Sequence, residues 1–193
     1  AALQRFAAQP GHAVVYVIGN HDQGMLFEQP RQFFRETLAH DVRFFDSHYE
    51  FDGIRVEHGH MHEWPTRFDP KRYFISRGLP EPVLNLPWGS LFVAECLPKI
   101  KMERPYVDKV KPFSAMLRWM VLNDFFFALK AGVKILLFTL DSLIFKRRYR
   151  YSGLKATANI IREVTVFPTF DREAAKVLED NPDINAVIMG HTH

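Results

Sequence analysis

Three predicted strands in this chain lead directly into polar clusters. The strands are residues 14–18, 54–57 and 184–189, and the clusters are Gly-Asn-His-Asp at 19–22, His-Gly-His at 58–60 and Gly-His-Thr-His at 190–193. The first and last strands are short apolar runs, and the middle one alternates apolar with polar residues, which is typical of strands. Because ligands of open α/β sheets bind beyond the carboxyl ends of strands, the repetition indicates a shared site.

The segments around these strands predict further regular structure. The spacing of apolar residues predicts a helix over residues 29–38. Asp52-Gly53 is a strong turn signal for a hairpin. The predicted strands before that turn are residues 42–45 and 48–51. A last helix is predicted to begin at Asp171, whose side chain can cap it, and to end at Asn181, which precedes a proline.

Composition narrows the class of protein. The chain has 193 residues, of which 47% are hydrophobic and 24% charged, as in ordinary soluble domains. A net charge of +3 is too small an excess to predict nucleic-acid binding without a clustered patch. Cys96 is the single cysteine, which excludes an intrachain disulfide and fits a reducing compartment. We therefore expect a cytoplasmic protein, with peripheral membrane association left open.

The two ends of the sequence bear on whether it is a whole protein or a fragment. The sequence begins at Ala1, shortly before a predicted core strand, and stops at His193 within a predicted loop. We therefore expect a fragment of a longer protein. A missing signal peptide then carries no information about export.

The polar clusters contain side chains that bind transition metals. Imidazole nitrogens suit borderline metals, and an Asn oxygen can complete a mixed shell. The ordered set Gly19-Asn20-His21-Asp22, His58-Gly59 and Gly190-His191-Thr192-His193 resembles the calcineurin-like metallophosphoesterase superfamily. The resemblance covers the segments around 14–62 and 170–193. It implies an α/β fold in which a two-sheet sandwich is flanked by helices, here incomplete.

The resemblance also implies a dinuclear centre of two divalent metal ions, Mn, Fe or Zn. Asn20, His58 and His191 would bind the second metal, and His193 the first. Two adjacent cations clamp a phosphoryl group and lower the pKa of a bridging water. The implied function is hydrolysis of a phosphomonoester, phosphodiester or pyrophosphate.

Two further residues receive catalytic roles from the resemblance. His21 would donate a hydrogen bond or proton to the leaving oxygen, and Asp22 would orient its imidazole. Only His58 fits the family position in its cluster, so His60 and His62 are assigned to the rim of the site or to groups behind the ligands.

The chain departs from the family pattern in its carboxylates. The Asp-x-His and Gly-Asp-x-x-Asp stretches that precede Gly-Asn-His in the family are missing here. Asp46-Ser47-His48 spells Asp-x-His but follows Asp22 and lies in a predicted hairpin, so we interpret it as coincidence. We expect residues 1–193 alone to be inactive and the upstream segment to restore turnover. The alternative is a non-catalytic metal-binding or membrane-associated interaction protein on the same fold.

A long segment separates the second and third clusters. The predicted core is residues 1–62 and 170–193, and residues 63–169 form an insertion that is helical in its second half. Lys130, Lys134 and Asp141 disfavour a transmembrane helix, and Gly132 allows a break. Three interpretations of residues 112–150 remain: packing inside the domain or a dimer, a lid over an apolar substrate, and peripheral contact with a membrane. A helical insertion after the His-Gly strand is similar to UDP-diacylglucosamine hydrolases, which would imply a lipid-like substrate.

Overall fold

The computed structural model describes residues 2–63, 65–107, 109, 113–144 and 170–191. The chain is a mixed α/β protein with about 49% helix and small sheets. It divides into a first unit and a second unit. The first unit takes in Ala1–Glu63, Arg67–Leu84 and Pro168–His193, and the second takes in Trp64–Thr66 and Asn85–Phe167. Residues 67–84, which the sequence placed in the insertion, thus group with the strands of the first unit.

The first unit begins with a β-α-β arrangement. Helix α1 spans Ala2–Ala7, strand β1 Val14–Val17, helix α2 Glu28–Leu38 and strand β2 Val42–Phe45. β1 and β2 are parallel, in register from Val14 opposite Val42 to Val17 opposite Phe45. The returning helix α2 lets two parallel strands pair, as parallel connections require. Leu38 and Val42 are buried where helix and strand meet the core.

A second sheet contains the predicted hairpin. β3 spans His48–Phe51 and β4 spans Ile54–Glu57. They pair antiparallel, and the turn residues Asp52 and Gly53 have φ of 49° and 74°. Two consecutive positive φ angles are the geometry that an Asp-Gly hairpin turn favours.

The same sheet is completed from the far end of the described chain. Helix α7 spans Phe170–Asp180 and strand β7 spans Ala186–Met189, two residues shorter than the predicted strand. β7 pairs parallel with β4, so the sheet order is β3-β4-β7. α7 starts before Asp171, which lies in its first turn, and Asn181 Nδ2 donates to the Val177 carbonyl at its end. β5 (Phe74–Ile75) and β6 (Val83–Leu84) form a separate short hairpin.

The second unit is helical throughout its described elements. α3 (Trp88–Leu91), a π-helical turn (Phe92–Cys96), α4 (Leu97–Lys101), α5 (Phe113–Asn123) and α6 (Phe125–Ile144) follow one another. Pro98 cannot donate a backbone hydrogen bond, which accounts for the irregular turn just before it. Met116, Met120, Phe127 and Ala131 of α5 and α6 pack with Cys96, Ile100 and Val107 in a buried cluster.

The helical segment predicted over 112–150 is present as α5 and α6 as far as Ile144. The helices are separated at Asp124, whereas Gly132 lies inside α6. Asp124 Oδ2 accepts from Arg104 Nε at 2.8 Å, so the break lies where a charged side chain reaches a partner outside the two helices. Residues 145–150 lie outside the described residues. No described helix is both long and apolar enough to cross a membrane.

Candidate functional site

The loops that follow β1, β4 and β7 lie side by side in the first unit. A methyl group placed on Gly19, after β1, would lie 2.6 Å from Nε2 of His58, after β4. A methyl group placed on Gly190, after β7, would lie 3.6 Å from the carbonyl oxygen of His58. The structure thus brings together three polar clusters that are far apart in sequence, and the lack of a side chain at Gly19 leaves room for the His58 imidazole.

His191 lies directly against His58, with ring centroids 5.1 Å apart. Its φ of 74° is in the left-handed region, which a residue with a Cβ rarely adopts. Its Nε2 lies 2.9 Å from Oε2 of Glu63, which is 128 residues away in sequence. A side chain held in an unfavourable backbone conformation and fixed by a distant carboxylate is typical of a functional position.

Gly59 makes the turn that places two histidines on the cluster. Its φ is 96°, and a Cβ there would lie 3.1 Å from the ring of Phe170. A residue with a side chain at this position would therefore strain the backbone and crowd the first residue of α7. The turn brings the rings of His58 and His60 to a centroid distance of 5.1 Å.

His60 is far more buried than the rim position assigned to it from the sequence. It is only 2% exposed and packs edge-on against Phe68. Burial, followed by the neighbouring His58 and His191, lowers the pKa of His60 to about 4, so it is neutral at pH 7. The sequence signal that could have found it is the His-Gly-His spacing, because a positive-φ glycine can turn both rings toward one cluster.

Two buried acceptor atoms at this cluster have no hydrogen-bond partner among the described residues. They are Oδ1 of Asn20 and Nδ1 of His191. A carboxylate only accepts, so Nε2 of His191 donates to Glu63, and in the neutral tautomer that makes this bond Nδ1 keeps a lone pair. An amide oxygen and an imidazole lone pair, both buried and unpaired, are donors that a borderline metal accepts.

The described side chains fit a metal only in part. Within the described ranges, no group of three or more His, Cys, Asp or Glu side chains lies close enough to hold an ion. Asn20 is of another residue type, and His193, the predicted ligand of the first metal, lies outside the described residues. The described donors from the sequence-predicted set are therefore Asn20, His58 and His191.

Asp22, which is predicted to orient the His21 imidazole, has partners of its own in the structure. Asp22 Oδ2 accepts from the backbone N–H of Gly19 at 2.9 Å, which closes the loop after β1. Burial, and then the Asp22 carboxylate, raise the pKa of the Tyr16 hydroxyl. Asp22 thus has partners other than the His21 imidazole that it is predicted to orient. His21 is exposed beside the cluster.

A buried ion pair lies behind the cluster and was not anticipated from the sequence. Glu57, the last residue of β4, accepts from Nε2 of His62 and lies 3.0 Å from Nε of Arg55. The other ring nitrogen of His62 lies 3.5 Å from Glu173 of α7. Hydrogen bonding to Glu57 raises the pKa of His62. Burial opposes ionisation of Glu57, but its bonds to His62 and Arg55 prevail and lower the pKa of that carboxyl.

The Asp46-Ser47-His48 sequence has local partners. Asp46 Oδ1 lies 2.7 Å from a guanidinium nitrogen of Arg31. The two ring nitrogens of His48 lie 2.9 Å from Ser47 Oγ and 3.5 Å from Glu50 Oε1. These protein contacts account for the positions of the Asp46 and His48 side chains.

Comparisons with known proteins add no relative. No family model, curated protein or solved structure matches the chain. The resemblance to metallophosphoesterases therefore rests on the motif residues of the sequence alone.

Proposed function

We propose that this chain carries part of the active site of a metal-dependent phosphoesterase with a two-sheet metallophosphoesterase-like core. The observation that carries the proposal is the meeting of Gly19, His58 and His191, which end three separate strands and lie in contact. Core packing alone does not require a bare glycine and a left-handed histidine against the same imidazole, that of His58. A site at the carboxyl ends of strands accounts for both.

Asn20, His58 and His191 would hold one divalent ion, and His193 would bind the other ion of the pair. When bound, such metals polarise a phosphoryl oxygen and supply an activated water as nucleophile. Glu63 keeps the proton of His191 on Nε2 and thereby presents Nδ1 to the site. The Asp22 carboxylate fixes the loop that carries Asn20 by accepting from Gly19.

His21 is the proposed proton donor to the leaving oxygen. Its exposure beside the cluster suits a group that meets a substrate arriving from solvent. The pKa-lowered His60 does not suit this role, because it is buried and neutral.

A second candidate function is metal binding without catalysis. It is supported by the carboxylates near the cluster, which have other partners: Glu57 binds Arg55, Glu63 binds His191, and Asp22 binds Gly19. In this case each of these three carboxylates serves a protein partner instead of bridging two ions.

Calorimetric titration of the chain with Mn²⁺ and with Zn²⁺ measures the metal affinity and so tests the site itself. We expect His58→Ala and His191→Ala to abolish binding. His12→Ala is the matched control, because His12 is an exposed histidine that contacts the carbonyl and the ring of Phe6, away from the cluster. Equal affinity in all three variants would remove the basis of the metal site.

Turnover is tested with p-nitrophenyl phosphate mono- and diesters and manganese, on the whole protein with any residues that precede Ala1 included. His21→Ala should lower kcat by about 10² to 10⁴ with metal content unchanged, the usual effect of removing a positioned proton donor. His191→Ala should lose metal and activity together. Metal binding without turnover in the whole protein would favour the non-catalytic candidate.

A further inference from the structure

Helix α6 has two contrasting sides. Phe127 and Ala131 face the buried cluster of the second unit. Next to them, Lys130 and Lys134 each reach a carboxylate oxygen of Glu103, at 3.0 and 2.7 Å. Lys130 and Lys134, two of the charged residues that disfavour a transmembrane helix, thus form ion pairs inside the second unit.

The opposite side of α6 is apolar and exposed to solvent. At 100° per residue the side chains from Phe125 round to Leu137 fill an arc of about 120° without a charged group. We call this arc the apolar face of α6. Its members with more than half of their surface exposed are Phe125, Phe126, Leu129, Leu136 and Leu137, at 56%, 84%, 56%, 57% and 60%.

α5 extends this face beyond the break at Asp124. Leu122 is 72% exposed and Val121 is 50% exposed. A shallow groove of about 360 Å³ runs along the same side and is lined by α5 and α6 residues between Val121 and Leu136. A contiguous exposed patch of this kind marks an interaction surface, because single scattered apolar residues are the norm on soluble proteins.

Charge selects the partner. Residues 85–167, the main part of the second unit, carry 14 basic and 6 acidic side chains, a formal charge of +8, while the whole chain carries only +3. Four of the basic residues, Lys146, Arg147, Arg148 and Arg150, follow α6 directly in the sequence. A second copy carries the same net positive charge and is repelled by it, whereas an anionic lipid surface attracts a unit of this charge.

We propose that the apolar face of α6 docks on an anionic lipid bilayer, with the helix lying in the plane of the interface. The apolar side chains enter the boundary between headgroups and acyl chains, and the net positive charge of the second unit favours a surface of anionic headgroups. The proposal does not depend on the phosphoesterase activity, since none of its residues belongs to the candidate metal site.

The test is flotation of the whole chain with vesicles of phosphatidylcholine alone and of phosphatidylcholine with phosphatidylglycerol at 3:1. We expect at least tenfold tighter binding to the anionic vesicles at 0.1 M salt and a loss of that preference at 0.5 M salt. This comparison needs no variant. Equal binding to both vesicles, or binding to neither, would overturn the proposal.

A pair of substitutions locates the surface. Phe126→Gln with Leu137→Gln should weaken vesicle binding by at least tenfold, and both side chains are exposed enough to be replaced without disturbing the fold. Phe33→Gln on α2 is the matched control, because Phe33 is 71% exposed in the first unit. Unchanged binding in the double variant would exclude this face. Sedimentation showing a dimer that the double variant dissociates, without vesicle binding, would assign the face to a second copy instead.

Discussion

Replacing Gly19 by alanine probes the contact between the loops after β1 and β4. The φ of Gly19 lies outside the positive region, so its backbone suits alanine and the whole effect is steric. The new methyl carbon would lie 2.6 Å from Nε2 of His58. Ordinary contact begins at about 3.5 Å, so the imidazole must retreat by roughly 1 Å.

The expected effect follows from that displacement. Overpacking of a closely packed site costs about 1–3 kcal/mol, so Gly19→Ala should lower the free energy of unfolding by that amount. A ligand set tolerates only about 0.2 Å of distance error, and we expect metal affinity to fall by at least tenfold as well. Gly24→Ala, in the same segment, adds a methyl group with nothing within 4 Å and serves as the control.

Urea unfolding followed by circular dichroism measures the stability term, in a cycle with His58→Ala. In the His58→Ala background the added methyl group no longer meets a ring, and the cost of Gly19→Ala should fall to that of Gly24→Ala. The reasoning fails if Gly19→Ala is no more destabilising than Gly24→Ala, or if its cost is the same with and without the His58 imidazole. The unfolding data test the contact between Gly19 and His58. Metal titration of the same variants separately tests the proposed role of His58 as a metal ligand.

Three other predictions concern the groups around the cluster. Glu63→Ala should weaken metal binding by about 10- to 100-fold in calorimetry, because His191 loses the carboxylate that orients it; undiminished affinity would contradict this. His62→Gln should cost about 1.5–3 kcal/mol of unfolding free energy near pH 5.5 through the lost bond to Glu57. Since the His62 pKa is raised above its ordinary 6.5, this cost should shrink as the pH rises through the raised value, and a cost that grows with pH would be contrary evidence. Between pH 6.5 and 4 only the unfolded chain protonates His60, so the protein loses stability as the pH falls through this range. His60→Gln should make that loss smaller, and acid unfolding of both proteins would reveal the difference.

Local signals in the sequence identified the hairpin and its neighbours correctly. The predicted strands 42–45, 48–51 and 54–57 coincide with β2, β3 and β4, and Asp52-Gly53 forms the turn between the last two. Turn chemistry and side-chain alternation act within a few residues, so a single sequence contains them. The same holds for the end of α7, where Asn181 bonds the Val177 carbonyl.

Features that depend on tertiary contacts were not predictable in this way. The break between α5 and α6 lies at Asp124, where Arg104 offers a partner from outside both helices, and not at the flexible Gly132. The burial of His60 depends on Phe68, eight residues later, and on the turn at Gly59 that packs the His58 ring against it. The sequence indicated that histidines follow the strands, but their spacing along the chain carries no information about which ring is covered.

The pairing of β4 with β7 has a consequence for how the protein is made. Glu57 pairs with Met189, about 130 residues later in the chain. At roughly 5–20 residues per second, the ribosome needs on the order of 7–26 s to deliver β7 after β4. During that interval one edge of β4 stays unpaired, a template for strands of other nascent chains. The interval ends when β7 docks, and the same event brings His191 to His58, so a nascent chain gains its candidate site and its protection from misassociation at one moment.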